Sequence, residues 1–133
     1  MFDQLPTVAV VFALISAAIH VFIFVLEAIL FRGPYARRTF GIRSEQDAAV
    51  IAPWAVNQGF YNLFLALGAV AGVLLAATTN PATVGAGIGM VVLSTGSMVA
   101  AAVVLIVTNP KLLRGGLIQG LAPLVAIVAL VIG

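Results

Sequence analysis

The chain has no cysteine, one histidine and only 8% charged residues among its 133 positions. Without cysteine there are no disulfides, thiolate nucleophiles or sulfur-ligated metals. His20 alone, with four acidic residues scattered along the chain, gives no convincing metal or haem set, so no cofactor and no metal are expected. No glycine-rich phosphate loop opens a helix, no serine–histidine nucleophile motif is present, and nothing points to nucleic acid. A soluble domain of this length would carry about a quarter charged residues. Here 63% of the chain is hydrophobic instead, which makes the bilayer the expected solvent.

The apolar residues fall into four long stretches, about 6–31, 53–77, 83–108 and 112–132, of a length to cross ~30 Å of hydrocarbon. The last has its apolar part at about 117–132, near the lower length limit, and reaches back to Leu112 only through the turn 109–116. The sequence therefore predicts an all-α, polytopic membrane four-helix bundle, with residues 1–133 forming a single transmembrane domain. No basic residue precedes the first apolar run, and that run is too long for a signal peptide, so it reads as a retained first span.

Between the first two spans lies the one strongly polar segment, an amphipathic loop over residues 32–52. Gly33-Pro34 stops the first helix, and Ser44 with Asp47 three residues on resembles a capping box. A short surface helix from about Glu45 is expected to lead into span two at Pro53, with Tyr35 and Trp54 in an interfacial aromatic belt. Thr78-Thr79-Asn80-Pro81 reads as an uncharged turn.

All six basic residues (Arg32, Arg37, Arg38, Arg43, Lys111 and Arg114) occupy loops one and three, and loop two has none. The rule that positive charge concentrates on the cytoplasmic side places those two loops inside and both termini outside. The arginines also attract anionic lipid, at about 1 kcal/mol each near the surface, although setting topology is their first role. Membrane lipids are thus the expected partners. Gly68 with Gly72, and Gly85 with Gly89, form small-xxx-small pairs that let helix backbones approach. Packing within the chain is the preferred use, with homo-oligomerisation through these faces as the alternative.

Polar groups at membrane depth carry the functional argument. Asn57-Gln58-Gly59-Phe60-Tyr61-Asn62 puts four polar side chains near the start of span two. On a helix at ~100° per residue, Asn57, Gln58, Tyr61 and Asn62 fan over roughly 140°. Glu27 sits about four residues before the cytoplasmic end of span one; His20 lies seven residues earlier on nearly the same stripe, continued by Ser16. An ionisable group inside a span is costly and usually faces a protein interior or a wet cavity. Because span one descends as span two rises, Glu27, Asn57 and Tyr61 are expected at one height, with Gln119 of span four at a similar level. Ser94, Thr95 and Ser97 of span three lie nearer the midplane. Convergence of this kind suits a bundle-core site, in which Glu27, His20 and Tyr61 are the candidate catalytic residues and Asn57, Gln58, Asn62 and Gln119 the candidate ligand-binding residues. For Asn62, Gln119 and the span-three hydroxyls, interhelical hydrogen bonding, worth about 0.6 kcal/mol each, is preferred to a ligand role. Snorkelling of Glu27 to the nearby interface is the alternative to its role in a site.

Leu26-Glu27-Ala28, Phe40-Gly41, the Asn57–Asn62 run and Gln119-Gly120-Leu121-Ala122-Pro123 together resemble a family of small bacterial four-helix membrane proteins of unknown function. The resemblance rests on spans one, two and four and implies that Glu27, Asn57, Gln58, Tyr61, Asn62 and Gln119 are signature polar positions. It implies an architecture, a multi-pass setting in a bacterial inner (cytoplasmic) membrane and a site, and no reaction. Three functional classes follow. The chain binds or acts on a small lipophilic molecule, Glu27 exchanging a proton with it; or it is a proton-coupled small-solute transporter; or it is a structural or accessory membrane subunit. The first is placed ahead of the others.

Overall fold

The structure, a computed structural model, describes residues 5–133, and every described element is helical. Helix α1 spans Thr7–Phe24 and passes into a π-helical segment, Val25–Ile29. Helix α2 is Pro34–Phe40, α3 Glu45–Ala76 and α4 Pro81–Thr108; a single 3₁₀ turn, Pro110–Leu112, leads into α5, Leu113–Ile132. Four stretches are long and apolar enough to cross a membrane: Thr7–Ile29, Glu45–Ala76, Pro81–Thr108 and Pro110–Ile132.

The helix boundaries follow local chemistry. Pro34 opens α2 at its first position, where a missing N–H costs nothing. Gly41 closes it in the left-handed region, at φ 69°, which glycine adopts without a Cβ penalty. Ser44 Oγ accepts from the Asp47 N–H at 3.0 Å, so the expected cap forms. Asn80 caps α4 in the same way, its Oδ1 accepting from the Ala82 and Thr83 N–H groups at 3.0 and 3.3 Å.

Span two differs from expectation. The short surface helix expected from about Glu45 and the span expected from Pro53 form one continuous helix, α3, of 32 residues with Pro53 in its interior. At 1.5 Å per residue that is about 48 Å, well beyond the hydrocarbon thickness, and the acidic Glu45 and Asp47 lie in its first turn. Proline deletes one backbone hydrogen bond, and packing on both sides of it holds the helix together. Ala48, Ala52 and Ala55 are buried with Phe31 and pack against Phe40 and Ile42.

The chain packs as two compact units, His20–Phe64 and the described residues up to Ile19 together with Leu65–Gly133. Within the second, cores of Ala9, Ala13, Val91, Ala126, Ala129 and Leu130, and of Ala17, Ala66, Ala69 and Met98, are built largely from alanine. Small side chains bring backbones close, the usual basis of packing where lipid removes the hydrophobic drive between helices. Gly72 shows how close: a Cβ there would meet the Gly87 carbonyl oxygen and the Val91 nitrogen, each at 2.8 Å. The Gly85–Gly89 pair does not make such an approach. A Cβ at either meets nothing within 4 Å, because Gly87, on the other side of α4, is the glycine that faces Gly72 and Ala76.

Candidate functional site

Glu27 lies in the middle of the π-helical segment, where Leu30 N–H donates to the Val25 carbonyl at 2.8 Å. A π turn inserts an extra residue into the helical ladder and often marks a functional position. The carboxylate-bearing residue is only 6% exposed. Across from it, α3 presents Gly59, and a Cβ there would lie 3.1 Å from both Cβ and N of Ala28 and 3.2 Å from Glu27 Cβ. The missing side chain is what lets α3 run this close to the π turn. Phe24 and Phe60 pack edge to face beside the contact, with ring centroids 5.2 Å apart.

The approach brings Asn62, half-buried three residues after Gly59, to the carboxylate. Asn62 Nδ2 donates to Glu27 Oε2 at 2.9 Å and to the Gln58 carbonyl at 3.1 Å. Among the described residues, Glu27 Oε1 accepts no hydrogen bond. Nor is it sealed: of the described side-chain atoms, only Arg37 Nε is fully buried without a partner. One oxygen of the carboxylate is thus held and the other presented. No cation among the described residues is paired with it; Arg37 bridges to Glu45 instead, at 3.2 Å.

The expected polar arc divides. Only Asn62, at its edge, meets Glu27; Asn57, Gln58 and Tyr61 are exposed, Tyr61 by 61%, and their side chains make no hydrogen bond among the described residues. The inward stripe of α3 consists of Ala48, Ala52, Ala55 and Gly59, all buried and projecting within roughly 60° of one another. Small residues take the interior because they allow close packing, and the polar arc is left beside them. His20 is fully buried in α1, as is Ser16, whose hydroxyl donates to the Phe12 carbonyl at 2.6 Å. Gln119 stands half-buried on α5. Thr95 donates back to the Val91 carbonyl at 2.7 Å, a bond internal to α4. Two features of the site lie outside the expected set of residues. No residue pattern signals the π turn, whereas Gly59 is visible as the one residue without a side chain in the polar run.

Four long apolar helices and a buried carboxylate on one of them define a multi-pass helical membrane protein. Residues 14–131 match the model of a family described as Protein of unknown function (DUF1304), and the chain belongs to that family. No curated protein and no solved structure matches it.

Proposed function

We propose that this membrane protein binds a small lipophilic molecule through Glu27, with Asn62 fixing the carboxylate. The observation that carries the reading is the asymmetry of Glu27, with Oε2 held by Asn62 and Oε1 left without a partner among the described residues. A purely structural carboxyl in this setting would be expected to have both oxygens satisfied, since an unpaired polar group away from water is costly. The open oxygen suits a ligand that donates one hydrogen bond, such as a hydroxyl or an amine, from an otherwise apolar body. The ring pair Phe24 and Phe60, on the same two helical segments, suits that apolar part. In our reading loops one and three face the cytoplasm and both termini lie outside, because every basic residue lies in loop one or at the start of the fourth span, beside loop three. A bacterial inner membrane is the setting that the resemblance to small bacterial membrane proteins implies.

The test is mass spectrometry of small molecules that co-purify with the wild type and with Glu27→Gln. Glutamine keeps an acceptor for Asn62 but replaces the open oxygen by an NH₂ group, which donates instead of accepting. The variant should fold with nearly unchanged thermal stability in detergent and lose the bound species. If it unfolds, and what protein remains carries the same molecules, Glu27 is a structural anchor.

A second reading, an accessory subunit, is favoured by the exposed Asn57, Gln58 and Tyr61. Hydrocarbon cannot satisfy these groups, so a neighbouring subunit would be expected to cover them. In that case the protein co-purifies with another polypeptide, and Asn57→Leu releases it.

A further inference from the structure

Away from Glu27, the turn between α2 and α3 forms an open groove of about 430 Å³. Its walls are apolar: Phe40 and Ile42 on one side, Val50 and Ile51 on the first turns of α3. Val50 is 69% exposed. Two charged residues also line it, Arg43 and Asp47, and neither side chain is paired, with the other or with any described residue. Their neighbours account for this. Arg37 bridges to Glu45 at 3.2 Å, tying the end of α2 to the start of α3 and occupying the other acid of this turn. Gly41, in its left-handed conformation, ends α2 between Phe40 and Ile42.

The position fits an interface. Asp47 lies six residues before Pro53, where the apolar stretch begins, which is about 9 Å along the helix and so at headgroup depth. Trp54 is 74% exposed near that boundary, as expected of an aromatic that sits at the headgroup level.

We infer that this groove binds a phospholipid whose headgroup carries a phosphate and a primary ammonium, with Arg43 on the phosphate, Asp47 on the ammonium, and an acyl chain along Val50, Ile51 and Phe40. Charge complementarity selects the class. A purely anionic headgroup satisfies Arg43 and is repelled by Asp47. A quaternary ammonium brings positive charge but no N–H for the carboxylate to accept. Only a headgroup with both an anionic oxygen and a donating cation matches the two unpaired charges. The general attraction of Arg32 and Arg38 for anionic surfaces is separate, since neither lines the groove.

The experiment is native mass spectrometry of the full chain in detergent, titrated in turn with phosphatidylethanolamine, phosphatidylcholine and phosphatidylglycerol of identical acyl chains. The wild type should bind phosphatidylethanolamine about tenfold more tightly than either competitor, the equivalent of one charge-assisted hydrogen bond. Asp47→Asn should abolish that preference without weakening phosphatidylcholine binding. Arg43→Gln should weaken all three, and Arg38→Gln should alter none of the ratios. Helicity by circular dichroism verifies that each variant is folded; should Asp47→Asn lose helicity, Asp47→Ser supplies the same comparison. Equal binding of the three lipids, tightest binding of phosphatidylglycerol, or a preference that survives in Asp47→Asn would each overturn the inference.

Discussion

Both amide protons of Asn62 are committed, one to Glu27 Oε2 at 2.9 Å and one to the Gln58 carbonyl at 3.1 Å. Because both partners are acceptors, the amide has one satisfactory orientation, with its own oxygen turned away from the carboxylate. Asn62 is therefore braced by its own helix before it touches Glu27, and it holds the carboxylate at a fixed position rather than following it.

This bracing predicts a specific coupling. Asn62→Ala should cost about 1 kcal/mol of stability in detergent. Asn62→Asp should cost more, about 2–3 kcal/mol, because it sets an acceptor against two acceptors and a carboxylate against a carboxylate. Combining Asn62→Asp with Glu27→Gln should recover much of that loss, since the new amide can donate to the new carboxylate. A double-mutant cycle by thermal or denaturant unfolding reads the coupling directly. Additive losses would mean that the two side chains do not interact.

The close contact at Gly59 predicts a graded response to side-chain size. Gly59→Ala places a methyl 3.1 Å from Ala28 N, a tight fit, offset by the gain of up to about 1 kcal/mol in helix propensity. Its net effect on stability should be small. Gly59→Leu cannot be accommodated and should cost about 2 kcal/mol through overpacking. It should also move Asn62 off Glu27, so ligand retention falls further than in Asn62→Ala. Equal melting temperatures for Gly59→Leu and the wild type would show that α3 is not held against the π turn.

The parts of this arrangement differ in how legible they are in the sequence. Four spans are readable because an uncharged apolar run of membrane length is rarely anything but a spanning helix. Pro34, Gly41, Ser44 and Asn80 mark helix ends through cap chemistry that acts locally. Pro53 misleads because the rule that proline ends a helix yields to packing, here the burial of Ala48, Ala52 and Ala55 on either side of it. Glu27 is identifiable from the cost of a carboxyl in a span, and the run that holds its partner from equal depth. The choice of Asn62 over Asn57, Gln58 and Tyr61 is not identifiable, because it turns on which face of α3 is inward. That face is set by alanines and a glycine, residues a search for chemistry passes over.

Orientation is open to a clean test, since the chain has no native cysteine. Thr79, Arg38 and Lys111 are all exposed, so a single cysteine at each reports the side of the membrane rather than burial. With loops one and three inside, Thr79→Cys should react with an impermeant maleimide in intact cells or spheroplasts. Arg38→Cys and Lys111→Cys should react only after permeabilisation. Labelling of Arg38→Cys from outside would invert the arrangement and place Glu27 near the opposite surface.

Glycines on the two sides of α4 should behave oppositely. A Cβ at Gly87 would meet backbone on three counts, the Ala76 nitrogen, the Gly72 carbonyl oxygen at 2.6 Å and the Leu75 carbonyl carbon at 2.9 Å. Backbone cannot rotate out of the way, so even Gly87→Ala forces the two helices apart and loses the contacts around them. We expect a loss of about 2 kcal/mol or more, at the upper part of the range for added methyl groups in packed interiors. At Gly85 a Cβ meets nothing within 4 Å, and Gly85→Ala should be neutral or stabilising by up to about 1 kcal/mol, from helix propensity alone. The two substitutions make the same chemical change two residues apart on one helix, so propensity and hydrophobicity cancel in the comparison. Thermal unfolding of both variants in one detergent measures the difference. A destabilised Gly85→Ala would place that face of α4 in a contact with a second copy of the chain, and a neutral Gly87→Ala would contradict the close packing of α4 against Gly72.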